Sequence, residues 1–434
     1  MNAETRKILV LGASGLIGSF VARDLRGRGF QVVGVARKLT ASHKNNAFDF
    51  ELSVMSMEAA TLARLLRDHR IDVVVNCLGV LQDGPGSDTA AVHRDFVARL
   101  LQALREGKRM IRLVHISIPG ATETDRTAFS TTKRAAERLI ADSGVPYTIL
   151  RPGFVVALAA YGGSAMVRSL AALPLELPAE ERAAPFQPVA MEDIAATVAW
   201  LAERDPSEAN GVTWDLMQPE PVTLGGVIDQ FRRAFGTGEW PRIAMPAWLL
   251  DLGAKLGDLA SLLGWMPPMR TTAIAELRRG VSGDPARWMT ATGIVPKTIA
   301  QTTGRRPATI QDKWFARLYP IKALVIASLV LFWVVSGFIA LVISEILSSY
   351  GFPPSLVAPI TIGTSLMDMS IGVLIAFRRT AAFGLIAGIV ASFGYLIGAA
   401  ILTPDLWIEP LGALVKTCPA IVLMLVALLT LDSR

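Results

Sequence analysis

The hydrophobic pattern changes character once along the chain. Up to about residue 318, apolar positions come in short runs broken by charges; from 321 to 431 they are almost continuous. In the first part, Lys7–Leu11 is a short run of leucine and β-branched residues, the mark of a buried strand. Phe20, Val21 and Leu25 then recur at helical spacing, Gly27 and Gly29 close that helix, and Gln31–Ala36 reads as a second strand. Further runs predict a short third strand at "AFDF" with Asp49 at its end, a fourth at Ile71–Val80, a fifth at Ile111–Ser117 and a sixth at Pro146–Gly153. Helices are expected from about Thr89 to Arg105 and from about Ser130 to Ala141. Strands and helices alternating at this pace give an α/β fold, a doubly wound parallel sheet of Rossmann type, over residues 1–153.

Residues 154–300 are less regular and read as a small α/β cap region. "YGGSAMVRSLAALPLELP" offers a glycine turn, a helix and a proline stop. Trp214–Leu216 suits a returning strand, and Thr223 is an N-cap for a helix reaching Phe235 and closed by Gly236. Pro246–Pro268 carries leucines at helical spacing. It is either an ordinary packing helix or an interfacial helix lying on a bilayer, helped by Trp248 and Trp265. Four apolar stretches follow: Ile321–Leu347, Leu356–Phe377, Ala381–Leu402 and Leu411–Leu429. Each is near or above the roughly 20 residues that cross a hydrocarbon core. Their short loops predict an all-α, antiparallel four-helix transmembrane bundle over 321–434. Gly384, Gly388, Ala391, Gly394 and Gly398 share one face of the third stretch, suited to close helix packing.

Composition supports the division. The 434 residues are 52% hydrophobic and 18% charged, with mean hydropathy +0.43, too apolar for an ordinary soluble enzyme. The net charge is +6, and Arg305, Arg306, Lys313, Arg317 and Lys322 gather at the entry to the apolar part. Residues 301–320 therefore read as a basic juxtamembrane linker against an anionic cytoplasmic leaflet. A nucleic-acid surface would need stacking aromatics among the charges, and only Trp314 and Phe315 are near, so no nucleic-acid partner is expected. Arg378 and Arg379 mark the second loop as cytoplasmic, while the first and third loops carry no Lys or Arg. Both termini are expected inside a bacterial-type inner membrane. Cys77 and Cys418 fall in different domains, so no disulfide framework or metal cluster is built from them, and a reducing compartment is expected for the first part. His43, His69, His93 and His115 are scattered, and no metal site is expected. No secretory leader is read at the start, where "KILVL" is too short for one.

Gly12, Gly15 and Gly18 lie between the first strand and the first helix. Gly12 permits a tight turn, Gly15 a close backbone approach to a pyrophosphate, and Gly18 close packing of helix on sheet. The amides around Ser14, Gly15, Leu16 and Ile17 then face the phosphates, with the helix dipole behind them. The bland reading is a tight turn with nothing bound. After the second strand the chain reads Ala36-Arg37-Lys38, with no acid for ribose hydroxyls. Arg37 suits a 2′-phosphate, which favours NADP(H) over NAD(H); otherwise both cations are simply solvated. Asp49 is placed to accept from an adenine amino group.

"GASGLIG", "NCLG" at Asn76, "VHIS", "ILRPG", and later "FQPVAMEDIA" and "WDLMQPEPVTLGGVIDQFRRAFG" resemble the extended and atypical short-chain dehydrogenase/reductase superfamily. They are similar to the branch that includes the accessory nucleotide-binding subunit of respiratory complex I. The four-span module resembles the DoxX-like family, whose members are linked to membrane redox and quinone chemistry. The resemblance implies that Ser117 orients a substrate carbonyl, that Lys133 holds the nicotinamide ribose, and that Asn76 lies beside the nicotinamide. The family's proton-donating tyrosine falls on Phe129, in "FSTTK", and a phenyl ring has no proton to give. Ser130, Thr131 and Thr132 are close in sequence but face other directions; Tyr147 and Tyr161 are better acids without an assigned place. Asp368 lies near the middle of the second apolar stretch, with Glu345 and Lys416 nearer outer ends. An acid at that depth is costly: it is either functional or half of a structural pair.

Three functions remain in view. The first is a membrane-anchored NAD(P)(H)-binding oxidoreductase acting on a lipid or quinone, alone or with a membrane redox partner, its proton coming from water or Asp368. The second is a non-catalytic nucleotide sensor or assembly subunit. The third is a nucleotide-sugar epimerase, which would need the missing tyrosine most.

Overall fold

The computed structural model describes residues 6–39, 48–84, 87–107, 109–342, 353–402, 404–408 and 413–431. His43 and Glu345 lie outside the described residues. The chain forms two compact units, one of Met1–Leu256 with Pro268–Lys313, the other of Gly257–Pro267 with Trp314–Arg434.

The first unit is built on β1 (Lys7–Leu11), α1 (Leu16–Gly27), β2 (Gln31–Ala36), β3 (Asp49–Glu51), α2 (Ala59–Asp68), β4 (Val73–Asn76), α3 (Phe96–Glu106), β5 (Arg112–Ile116), α4 (Ala128–Ala141) and β6 (Tyr147–Pro152). After a cap segment, Val212–Leu216 returns as an edge strand beside β6, pairing Val212 with Thr148 and Leu216 with Pro152. The seven strands run in the order β3-β2-β1-β4-β5-β6 and then that edge, and all the pairs are parallel. This is the expected doubly wound sheet. Its order reverses between β1 and β4, which opens a crevice at their carboxyl ends.

The strands are nearly continuous in apolar residues because both faces are covered. Ile8, Val10, Val73 and Val75 pack on one side with Val21 and Leu25 of α1. Leu9, Leu11 and Val74 pack on the other with Leu62 of α2 and Phe96 and Leu100 of α3. Two boundaries differ from the sequence reading. Asp49 opens β3 instead of ending it, since β3 pairs from Gly34↔Asp49 to Ala36↔Glu51. β4 stops at Asn76, well short of Val80, because the Asn76 side chain takes the Leu78 amide at 3.1 Å and turns the chain.

The cap segment contributes β7 (Phe154–Val156), α5 (Gly163–Ala172), β8 (Leu175–Glu176), α6 (Ala179–Ala183), β9 (Pro188–Ala190), α7 (Met191–Ala202), β10 (the edge strand, Val212–Leu216), α8 (Leu224–Phe235) and β11 (Ile243–Ala244). β7 pairs with β9 and β8 with β11. Thr223 caps α8 by accepting from the Gly226 amide at 3.1 Å, and Gly236 ends it at φ +70°. Then come α9 (Ala247–Leu262), α10 (Thr271–Arg279), α11 (Ala286–Thr292) and α12 (Ile299–Gly304).

The last helices are α13 (Ile310–Val342), α14 (Pro354–Ala376), α15 (Ala381–Leu402) and α16 (Ala413–Leu429). The first three are long and apolar enough to cross a membrane, and the 17 residues of α16 form a shorter apolar helix. α13 starts well before Ile321, so part of the stretch read as a linker is helical. Thr309 and Asp312 cap that start reciprocally, through Thr309 N to Asp312 Oδ2 at 2.8 Å and Asp312 N to Thr309 Oγ1 at 3.3 Å. Glycines mark the tightest helix contacts in the second unit. A Cβ on Gly384 would come within 2.8 Å of the Ile375 backbone, and one on Gly388 within 2.7 Å of the Met424 sulfur. Gly394 and Gly398, further along the same face, meet no described residue within 4 Å.

Candidate nucleotide-binding site

The carboxyl ends of β1, β4 and β5 bring Gly12, Asn76 and Ser117 to the crevice. Gly12 sits at φ +81°, and its amide bonds the Val35 carbonyl at 2.9 Å. Gly15 N bonds Gly12 O at 2.9 Å and caps α1 in an extended conformation. A Cβ on Gly18 would run into the Gly12 carbonyl, so α1 lies on the turn as closely as backbone allows. The amides of Leu16 and Ile17 belong to the first turn of α1 and have no carbonyl a turn earlier to take them. This cradle fits a diphosphate bridge. Arg37 and Lys38 are exposed just beyond β2.

Asp49 does not face that cradle. Its carboxylate is fully enclosed, ion-paired with Arg26 of α1, and occupies the space that Gly34 leaves on β2. The expected adenine contact is therefore replaced by a tie between β3 and the end of α1. Glu51, at the other end of β3, accepts from the Leu39 amide at 2.9 Å.

Lys133 lies on α4, which starts at Ala128 under a Thr127–Ser130 capping box. Its ammonium is buried and has two backbone partners, the carbonyls of Ile116 at 2.8 Å and Leu78 at 3.4 Å. Burial lowers its pKa to about 8 against the opposing pull of Cys77 and Glu137. A buried cation without a carboxylate at bonding distance is open to a polar ligand. The ribose hydroxyls of a dinucleotide suit it.

Phe129 is half-buried, one helical turn before Lys133, and stands edge-on to His93 with ring centres 5.6 Å apart. His93 was read as one of four scattered histidines, yet it braces this corner. The Val80 amide donates to its Nε2 at 3.2 Å, which leaves Nδ1–H to face the Thr132 hydroxyl at 2.9 Å. Burial, with the charge of Lys133, depresses its pKa to about 3. The hydroxyls beside Phe129 are committed elsewhere. Ser130 completes the cap with Thr127, Thr131 bonds Thr127 O at 2.8 Å, and Thr132 bonds Ala128 O at 2.6 Å. Tyr147 opens β6, at the end of the sheet away from the crevice, and Tyr161 is exposed in the turn before α5. No described hydroxyl takes the place of the missing phenol.

Asn76 is buried and joined through Nδ2 to His115 Nδ1 at 3.1 Å. Ser117 Oγ is buried beside the Glu137 carboxylate. Behind it lies a charged cluster that the sequence reading missed. Arg151 grips Glu137 with two hydrogen bonds, at 2.8 and 2.6 Å. Arg134 joins Glu137 and Asp125, and Arg279 joins Asp125 and Glu276. Burial pushes Glu137 upward, but the bond from Arg151, the nearby Ser117 hydroxyl and both guanidinium charges hold it below the usual carboxylate range. Its one sequence signal is spacing: Glu137 follows Lys133 by one turn of α4. A separate cavity of about 50 Å³, lined by Arg168, Phe231 and Arg306 among others, contains none of these residues.

In the second unit, Asp368 of α14 accepts from the Tyr395 hydroxyl of α15 at 2.6 Å. Lys416 is exposed on α16. Among the described residues no cluster of His, Cys, Asp and Glu could hold a metal.

Comparison with known proteins agrees with this picture. Residues 8–164 match the NAD dependent epimerase/dehydratase family, and residues 330–425 match the DoxX-like family. The UDP-glucuronic acid 4-epimerase of Bacillus cereus, solved with UDP-glucuronic acid and NAD, superposes with a TM-score of 0.52 at 15% identity, over 72% of this chain and 99% of that one. The Bordetella bronchiseptica enzyme WbmG with NAD gives 0.51 at 19% identity, over 70% and 94%. At these identities the likeness is one of fold. A curated relative, the chloroplastic divinyl chlorophyllide a 8-vinyl-reductase of Cucumis sativus, is 30% identical over 169 residues, 35% of this chain. The chain spans only 39% of that relative's length. The N-terminal part is thus an NAD-binding domain of the epimerase and short-chain dehydrogenase kind, and the C-terminal part is a DoxX-like domain.

Proposed function

We propose that this is a membrane-anchored NAD(P)(H)-binding oxidoreductase that exchanges hydride with a lipid or quinone-type partner without the usual tyrosine. One observation carries the reading: Lys133 keeps its buried ammonium at the crevice, while Phe129, a turn away, has no acidic proton. A dinucleotide bound here supplies the hydride at its nicotinamide ring. The amides at the mouth of α1 hold its phosphates, Lys133 holds a ribose, and Arg37 receives the 2′-phosphate of NADP(H). Ser117 presents its hydroxyl on the acceptor side. A carbonyl substrate would need a proton at position 129. A quinone accepts hydride first and takes its proton afterwards, from water or from a protonated carboxyl such as that of Asp368. The C-terminal domain is read as four spans of a bacterial-type inner membrane with both termini cytoplasmic, which the arginines at 378 and 379 support.

A second reading has its own support. Phe129 packs on a neutral His93, an arrangement that suits a retained but silent site, so a nucleotide sensor or assembly subunit is the alternative. An epimerase is disfavoured by the same phenyl ring.

Titration calorimetry of the full chain in detergent tests these readings. NADPH is expected to bind roughly tenfold tighter than NADH, and Arg37→Ala to erase the difference. A short-chain quinone should then oxidise the bound NADPH. Tight binding without turnover supports the sensor, and failure of both coenzymes to bind at millimolar concentration removes both readings.

A further inference from the structure

Helix α9 is apolar on two opposite sides. Its inner side, Leu250 and Ala254, is buried with Ile274 of α10. Its outer side carries Trp248, Leu249, Leu252, Leu256, Leu259 and Leu262, each between 42 and 72% exposed. At helical spacing these positions fall within one arc. Lys255 falls within the arc near one edge, and Asp251 lies just beyond that edge, bonded to Arg278 at 3.1 Å. Scattered exposed leucines need no explanation, but five with a tryptophan on one face do.

The far end of α9 indicates what covers that face. The chain leaves the helix into Leu263, Gly264 and Trp265, which belong to the unit of spanning-length helices. The Trp265 indole donates to the Ala376 carbonyl at 2.7 Å, the last residue of α14. The Arg378 amide donates to the Leu263 carbonyl at 3.0 Å, and the Arg378 guanidinium lies 5.6 Å from the Trp265 ring centre. A tryptophan and an arginine at the end of an apolar helix mark the level of the lipid headgroups. The outer arc of α9 is thus tethered at one end to the depth where an amphipathic helix inserts.

We infer that α9 is an interfacial helix whose outer arc is buried in the headgroup boundary of the bilayer, so that lipid covers Trp248, Leu252 and Leu256. The inference rests on the helical unit being in a membrane. The basic neighbour Lys255 extends its stem along the apolar surface and keeps its ammonium in the headgroups.

The full chain, reconstituted in phosphatidylcholine vesicles, is tested with a photo-activated benzoylphenylalanine placed singly at Leu252, Leu256, Ile386 or Leu139. Ile386 is exposed on α15 and reports membrane insertion; Leu139 is exposed on α4 and reports water. Crosslinking to lipid at Leu252 and Leu256 is expected to approach that at Ile386 and to exceed that at Leu139 by roughly tenfold. Lipid adducts at Ile386 with none at Leu252 and Leu256, or protein adducts at those two sites, overturn the inference and leave the membrane domain standing. No lipid adduct at Ile386 removes the membrane reading and this inference with it.

Discussion

Position 129 is where one atom separates a nucleotide-binding protein from a reductase of the ordinary kind. Phe129→Tyr places a phenol one turn before Lys133, whose ammonium charge favours release of a phenolic proton. The variant is expected to gain carbonyl reductase activity with NADPH, by a factor of about 10²–10⁴ over the parent, measured on a panel of small ketones. No gain would mean that Ser117 and Lys133 are misplaced for catalysis. Lys133 itself makes a pH prediction with two opposite signs. Its pKa falls from 10.5 when exposed to about 8 in the fold, so between these values the unfolded chain binds more protons. Stability of the ligand-free protein should therefore rise with pH across that window. Ribose oxygens accept from the ammonium and so favour it; binding then takes up a proton and affinity should weaken above pH about 8, by at most tenfold per pH unit. Lys133→Met should flatten the affinity profile in the same titrations. Both residues were legible from motif spacing. His93 was not, because its role comes from Val80 and Thr132, which no periodicity links to it.

Among the elements, the turn into α1 was read correctly and the start of β3 was not. Glycines at 12, 15 and 18 follow from local geometry, and the structure makes the last of them a packing requirement. Gly18→Ala drives a methyl into the Gly12 carbonyl; a loss of about 1–3 kcal/mol in denaturant titrations is expected. Coenzyme affinity should fall with it. Gly27→Ala, at the end of the same helix with nothing within 4 Å, is the control and should gain up to about 1 kcal/mol. Asp49 shows the opposite case. Its pairing with Arg26 depends on Gly34 of the neighbouring strand, and a contact across strands cannot be read from one of them. Pro246–Pro268 had two readings, packing or interfacial; the structure finds an apolar side for each.

For the whole molecule, the question is how the C-terminal helices lie in a membrane. Three helices of spanning length, with α16 beside them, predict that sodium carbonate leaves the chain in the membrane pellet and detergent releases it. The four-span reading makes a sharper statement: reporters fused at either terminus should both report cytoplasm, whereas a three-span arrangement would put them on opposite sides. Within the helical unit, Tyr395 bonded to Asp368 gives the half-buried acid a partner. Tyr395→Phe should lower the melting temperature in detergent by several degrees, since it strands a carboxylate among apolar neighbours.

The linear order of residues was enough for the sheet, the glycine cradle and the apolar helices. Each depends on a period of two or three to four residues, or on a motif whose parts are neighbours in the chain. Tertiary structure alone decided that Lys133 bonds backbone carbonyls, that Asp49 pairs with Arg26, that Ser117 stands before a cluster of paired charges, and that Gly384 and Gly388 sit at close helix contacts. These depend on distances between segments up to about 150 residues apart, as between Asp125 and Arg279. Burial and electrostatics act through space, and a sequence pattern records them only when the interacting groups also happen to be close along the chain.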